Sequence, residues 1–168
     1  MVKLSEVAEM MDMGNDFMHP YLNRQTGEII MIGDEDISAF EEEKDLSNYP
    51  DWQKETIQEA AKVLTSEDYL QLPTQFEIHE YSIMERFCQS LDEPLSFNLL
   101  ELLRGSGAFR RFKDAIQRYE VADAWYRYKQ AALERIAADW LDAEGIAYEG
   151  TVASIQNAHE EEQNSADV

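Results

Sequence analysis

Apolar side chains recur every three or four residues along most of this chain, and proline or glycine closes many of these runs. That pattern confines the fold to short amphipathic helices, each burying one stripe. Ser5 is placed to cap a first helix ending at Met13, with Val7, Met10 and Met11 inward. Pro50 suits the first turn of a helix running to Leu64, which turns Trp52, Ile57, Ala60, Ala61 and Leu64 inward. Thr74 caps a helix over 75–91 whose apolar face holds Ile83, Met84, Phe87, Cys88 and Leu91. Pro94 opens another that reaches Leu103; Gly105 stops it and Gly107 permits a restart. Phe109, Phe112, Ile116 and Tyr119 then form an inward stripe. A longer helix over 121–143 carries Trp125, Ala132, Ile136 and Trp140, and Gly145 caps it.

Strand signals are few. Tyr21-Leu22-Asn23 and Glu28–Ile32 flank Arg24-Gln25-Thr26-Gly27, where the glycine suits a left-handed turn position. Pro20 and Gly33 punctuate the two ends, and a short helix is expected around Ile37 and Phe40. Residues 69–72 form a short strand candidate, and 146–148 another at an edge. A lone hairpin is not stable in water, so its apolar side must pack on helices. The expected fold is therefore α+β and mostly α-helical, with helices around a small antiparallel sheet that includes an N-terminal hairpin. One globular domain is expected over 1–148. An acidic C-terminal tail, short of large apolar residues and expected to be disordered, follows over 149–168.

Charge is the next constraint. The formal net charge is −21 over 168 residues. Such a chain repels duplex DNA and anionic membranes at long range. No apolar run approaches the length of a membrane span, and no signal-peptide pattern opens the sequence, so the cytoplasm is the expected location. A single cysteine, Cys88, excludes an internal disulfide framework and reads as a small buried hydrophobe.

The positive charge is not spread evenly. Seven of the fourteen Lys and Arg residues lie in 104–129, a stretch with only three acids. It opens with Arg104-Gly105-Ser106-Gly107 and runs into Ala108-Phe109-Arg110-Arg111-Phe112-Lys113-Asp114. A glycine loop ahead of a helix leaves backbone N–H groups at the positive end of the helix dipole. Arg104, Arg110, Arg111 and Lys113 add charge-assisted donors for a phosphate or carboxylate. The motif is neither a P-loop nor a dinucleotide fingerprint, because Arg110 stands where the third glycine would be. The competing account has these arginines paired with acids of neighbouring helices.

Other constellations are weaker. His79 lies at helical spacing from Ile83 and Phe87, which reads as a buried, satisfied histidine. Position 83 is Ile, so no H-E-x-x-H zinc motif forms, and His19 and His159 have no ligand spacing to His79. The acids at 34–36 and 41–43 lack the central glycine of a calcium loop. Neither a metal nor a cofactor is expected. Trp125, Tyr126 and Tyr128 sit near Arg118, Arg127 and Lys129; core packing accounts for Trp125, and Tyr126 is the exposed candidate for stacking.

Three stretches carry a family resemblance: Tyr21–Glu28, Phe76-Glu77-Ile78-His79-Glu80-Tyr81-Ser82-Ile83-Met84, and Arg104–Asp114. Through them residues 4–148 resemble the uncharacterised bacterial protein family UPF0158. The resemblance implies a soluble bacterial protein and carries no catalytic residue across.

The functional expectation is an interaction module. It holds an anionic group of a partner through Arg104, Gly105, Ser106, Gly107, Arg110, Arg111 and Lys113, with His79, Glu80 and Tyr81 as accessory candidates. The partner is an acidic protein segment, a nucleotide or RNA; duplex DNA and membrane are not expected. One alternative is an enzyme acting on a phosphorylated or carboxylated small molecule with His79 and Arg110 or Arg111. Another is an acidic mimic of a nucleic acid.

Overall fold

The computed structural model describes residues 1–152. It is an α+β fold, mostly helical, with a three-stranded antiparallel sheet. The chain falls into two compact units, one built from Met1–Ile78 with Ala137–Gly150, the other on His79–Ile136. Of the expected tail, Glu149 belongs to a strand, and the stretch from 153 onward lies outside the described residues.

The first unit begins with strand β1 (Val2–Lys3) and helix α1 (Leu4–Met13). Lys3, not Ser5, stands at the N-cap, so Ser5 is the second helical residue and caps nothing. Leu4, Val7, Ala8 and Met11 are the buried stripe. β2 (Met18–Asn23) pairs antiparallel with β3 (Ile29–Gly33) and with β4 (Tyr69–Gln71), giving the order β3-β2-β4. Tyr21 faces Ile30 on one side and Gln71 on the other. The strand starts two residues before Pro20, which was expected to mark its end. Pro20 is tolerated because the pairing with β4 stops at Tyr21, so its missing N–H leaves the ladder intact; its carbonyl still accepts from the Leu72 N–H at 3.0 Å. The expected hairpin turn is present. The Asn23 side chain accepts from the N–H groups of Gln25 and Thr26, and Gly27 takes φ 79°.

Helix α2 (Asp34–Glu41) starts directly from Gly33, and a 3₁₀ turn (Leu46–Asn48) leads to α3 (Asp51–Thr65) with Pro50 at its N-cap. Tyr21, Ile32, Ala60 and Val63 form a core cluster, joined by Ile30, Ile37, Leu64 and Tyr69. Trp52 does not join it; it is 66% exposed, because the buried stripe of α3 runs through Ile57, Ala60 and Val63. Strand β5 (Tyr148–Glu149) pairs parallel with β1.

The expected single helix over 75–91 is broken. It divides into α4 (Gln75–Ile78) and α5 (Glu80–Ser90) at His79, whose φ of 54° and ψ of 63° are left-handed. His79 is consequently exposed rather than packed with Ile83 and Phe87.

The second unit contains α5, α6 (Leu95–Leu102), α7 (Ala108–Arg118) and most of α8 (Ala122–Ala143), whose last turns belong to the first unit. Its core is aromatic. Trp125 meets Phe112 edge-on at 5.0 Å between centroids and Phe87 at 5.4 Å, while Phe87 also contacts Tyr128 at 5.4 Å. Such pairs add about 0.5–1.5 kcal/mol each beyond the area they bury. The stripe of α7 is Ala108, Phe112, Ala115 and Ile116. Phe109 and Tyr119, expected inside, are 47% and 38% exposed. On α8 Trp125, Ala131 and Leu133 are buried, and Tyr126 is exposed as expected.

Candidate functional site

The basic island sits on the connection between α6 and α7, within the second unit. Helix α6 ends at Leu102 with Leu103 as its C-cap. The last carbonyls of any α-helix lack intrahelical donors and carry the negative end of its dipole. Here two side chains from elsewhere in the unit satisfy them. Arg111, in the first turns of α7, turns back and donates from Nε to the carbonyl of Leu102 at 3.1 Å. Its Nη1 donates to the carbonyl of Ser106 at 2.6 Å, and its Nη2 to that of Arg104. Tyr81, on α5, donates its hydroxyl to the carbonyl of Leu103 at 2.9 Å. One guanidinium and one phenol thus satisfy four carbonyls over 102–106.

The glycines make this geometry possible. Gly105 and Gly107 both take left-handed φ values, 76° and 77°. Gly107 is also the N-cap of α7, and a Cβ there would lie 3.2 Å from Arg111 Nη1. The position must therefore be small as well as left-handed. Gly107 offers no side-chain cap, so the first N–H groups of α7 are left open at its positive end.

The four cations of the loop and helix have separate fates. Arg111 is committed to carbonyls. Arg104 is 78% exposed at its side chain and lies 3.3 Å from Glu101, one turn back. Among the described residues, the carboxylate that meets this group of cations is Glu101, local to Arg104 and solvent-screened. Arg110 and Lys113 are exposed and, among the described residues, meet no carboxylate. They lie three apart in α7, so they share a face, with the half-exposed Phe109 beside Lys113.

The accessory residues also separate. Tyr81 reaches the loop. Glu80 opens α5 and accepts a 2.9 Å ion pair from Lys129 on α8, with both side chains mostly buried. His79 is exposed at the left-handed junction, its carbonyl accepting from the Ser82 N–H at 2.9 Å. Sequence reasoning missed that Arg111 and Tyr81 serve one task. The available signal was two unpaired helix ends, α6 closing and α7 opening, around a loop too short to satisfy its own carbonyls.

Elsewhere, His19 Nε2 lies 3.3 Å from Asp34 Oδ1. Among the described residues no cluster of His, Cys, Asp and Glu is arranged to hold a metal ion, and no helix is long and apolar enough to cross a membrane. No curated protein and no solved structure matches the chain. The profile of the uncharacterised protein family UPF0158 matches residues 1–157, past the expected limit at Tyr148. On that match over nearly its whole length, the chain belongs to the uncharacterised protein family UPF0158.

Proposed function

We propose that this protein is a non-enzymatic interaction module of the bacterial cytoplasm, and that the α7 face bearing Arg110 and Lys113 holds an anionic group of a partner. One observation carries the reading. In a chain with 35 Asp and Glu residues, these two cations stand exposed, one turn apart, with no carboxylate partner among the described residues. Like charges at this spacing repel slightly, and a bound anion relieves that repulsion. The uncapped N–H groups at the start of α7 lie one turn before Arg110, while Arg111 and Tyr81 fix the loop that precedes the helix. A fixed site spends less entropy on binding. The enzymatic alternative is less well supported, since it needs a free Arg111 guanidinium or a convergent His79, and Arg111 is engaged three times over.

Fluorescence anisotropy with a labelled polyglutamate peptide, a phosphoserine peptide, a single-stranded RNA and a duplex DNA tests this. The parent is expected to bind at least one of the first three and not the duplex at physiological salt. Arg110→Glu/Lys113→Glu should remove that binding and leave the circular dichroism spectrum unchanged. Equal binding by parent and variant, or no binding of any probe by the parent, contradicts the proposal.

A further inference from the structure

The first unit carries a surface that the basic face of α7 does not explain. Phe17 is 76% exposed, Phe76 82%, Met13 62% and Met18 38%. Met18 and Phe76 line a cavity of about 200 Å³, together with the buried Met11, Leu72 and Pro73; Met13 precedes the lining Gly14, and Phe17 lies in sequence between the lining residues Asp16 and Met18. Phe76 lining the cleft and Phe17 next to two of its lining residues give a surface with two highly exposed aromatic rings, the kind that marks interaction sites.

Hydrogen bonds hold both rings' supports in place. The Asn15 side chain accepts from the N–H of Phe17 at 2.8 Å and of Met18 at 3.0 Å, which fixes the loop that displays Phe17. Gln75 donates its side-chain amide to the carbonyls of Met11 and Gly14, at 3.1 and 2.8 Å, tying the start of α4 to the end of α1. Thr74 and Glu77 form a capping box across the turn that displays Phe76.

The charge around the cleft selects the occupant. Asp16 lines it, Glu77 adjoins Phe76, and Asp34 pairs with the lining His19. No Lys or Arg lines it, and none occurs in residues 4–23 or 63–85. A symmetric contact with a second copy would set acids against acids in a chain already at −21. Anionic lipid is repelled for the same reason. The cavity is smaller than the roughly 300–1,000 Å³ of small-molecule pockets. We infer that this cleft docks a basic amphipathic segment of another protein, its apolar residues on Phe17 and Phe76 and its Lys or Arg residues against Asp16 and Glu77. The cleft is built from residues of the first unit alone, and the inference does not rest on the reading of α7.

The test uses labelled peptides of alternating design: a Leu/Lys amphipathic helix, the same helix with Glu for Lys, and a Ser/Lys peptide of equal charge. The full chain is expected to bind the Leu/Lys peptide at least about tenfold tighter than the Ser/Lys peptide, and the Arg110→Glu/Lys113→Glu chain, whose α7 face no longer favours an anion, is expected not to bind the Leu/Glu peptide. Phe17→Ser/Phe76→Ser should lose that tenfold preference while keeping the parent's melting temperature, since both rings are exposed. Arg110→Glu/Lys113→Glu should leave it unchanged, which separates this site from the one on α7. Equal binding of the Leu/Lys and Ser/Lys peptides means charge alone is at work and overturns the inference. So does self-association of the parent that Phe17→Ser/Phe76→Ser abolishes, because the occupant is then a second copy.

Discussion

Arg111 reaches from the first turns of α7 to the carbonyl of Leu102, 3.1 Å away, and so closes the last turn of the preceding helix. A cation placed there meets the negative end of the α6 dipole and satisfies three carbonyls at once. Lysine is a point charge on a flexible stem and cannot fork in this way. Arg111→Lys is therefore expected to cost about 1–2 kcal/mol, retaining the charge but not the geometry. Urea unfolding of the two proteins measures the difference; an unchanged midpoint contradicts the assignment.

The two loop glycines make different demands. Gly105→Ala meets nothing within 4 Å, so its cost is that of a left-handed alanine, about 1–2 kcal/mol. Gly107→Ala bears the same strain and also presses on Arg111 Nη1. It should destabilise by more than Gly105→Ala. Thermal melts of the pair give the order, and an equal loss shows that the guanidinium yields freely.

Glu80 and Lys129 are coupled across α5 and α8 with little exposure. A double-mutant cycle with Glu80→Gln and Lys129→Met should give a coupling of about 1 kcal/mol, above the median for exposed pairs. A coupling near zero would return Glu80 to the list of free surface acids.

Burial pushes the Cys88 thiol up to about 11, with Glu85 adding to the effect. An unfolded thiol titrates near 8.5. Below that value both states are protonated and the group contributes no pH dependence. Between about 8.5 and 11 the unfolded chain releases a proton that the native chain keeps, so stability falls as pH rises. Tyr21, also raised mainly by burial, adds to the same alkaline decline at higher pH. Denaturant midpoints at about pH 8 and pH 10 should decline less for Cys88→Ala than for the parent. Identical declines contradict the assignment to Cys88.

Local signals in the sequence sufficed for much of the fold. The hairpin over 21–32 follows from Gly27 and its β-branched arm, and the restart at Gly107 follows from two glycines. The break at His79 was not legible, because neither proline nor glycine marks it, and a left-handed φ at a histidine has no signal in the local sequence. Phe109 and Arg111 show the other limit. Successive helical residues differ by about 100°, so a stripe drawn through Phe109 instead of Ala108 shifts the buried face enough to misplace both. The island's position was readable from charge. Its division into a carbonyl-bound arginine and exposed cations depends on where the carbonyls of α6 lie, which is tertiary information.

Paired stability measurements distinguish the carbonyl-bound Arg111 from the exposed Arg110 and Lys113. Arg111→Ala and Arg110→Ala/Lys113→Ala are unfolded in urea beside the parent. The expected loss is about 1–3 kcal/mol for Arg111→Ala, which removes three hydrogen bonds, one of them part-buried, and the expected change is within about 0.5 kcal/mol for the double variant. A clear loss in Arg110→Ala/Lys113→Ala together with a neutral Arg111→Ala contradicts that distinction.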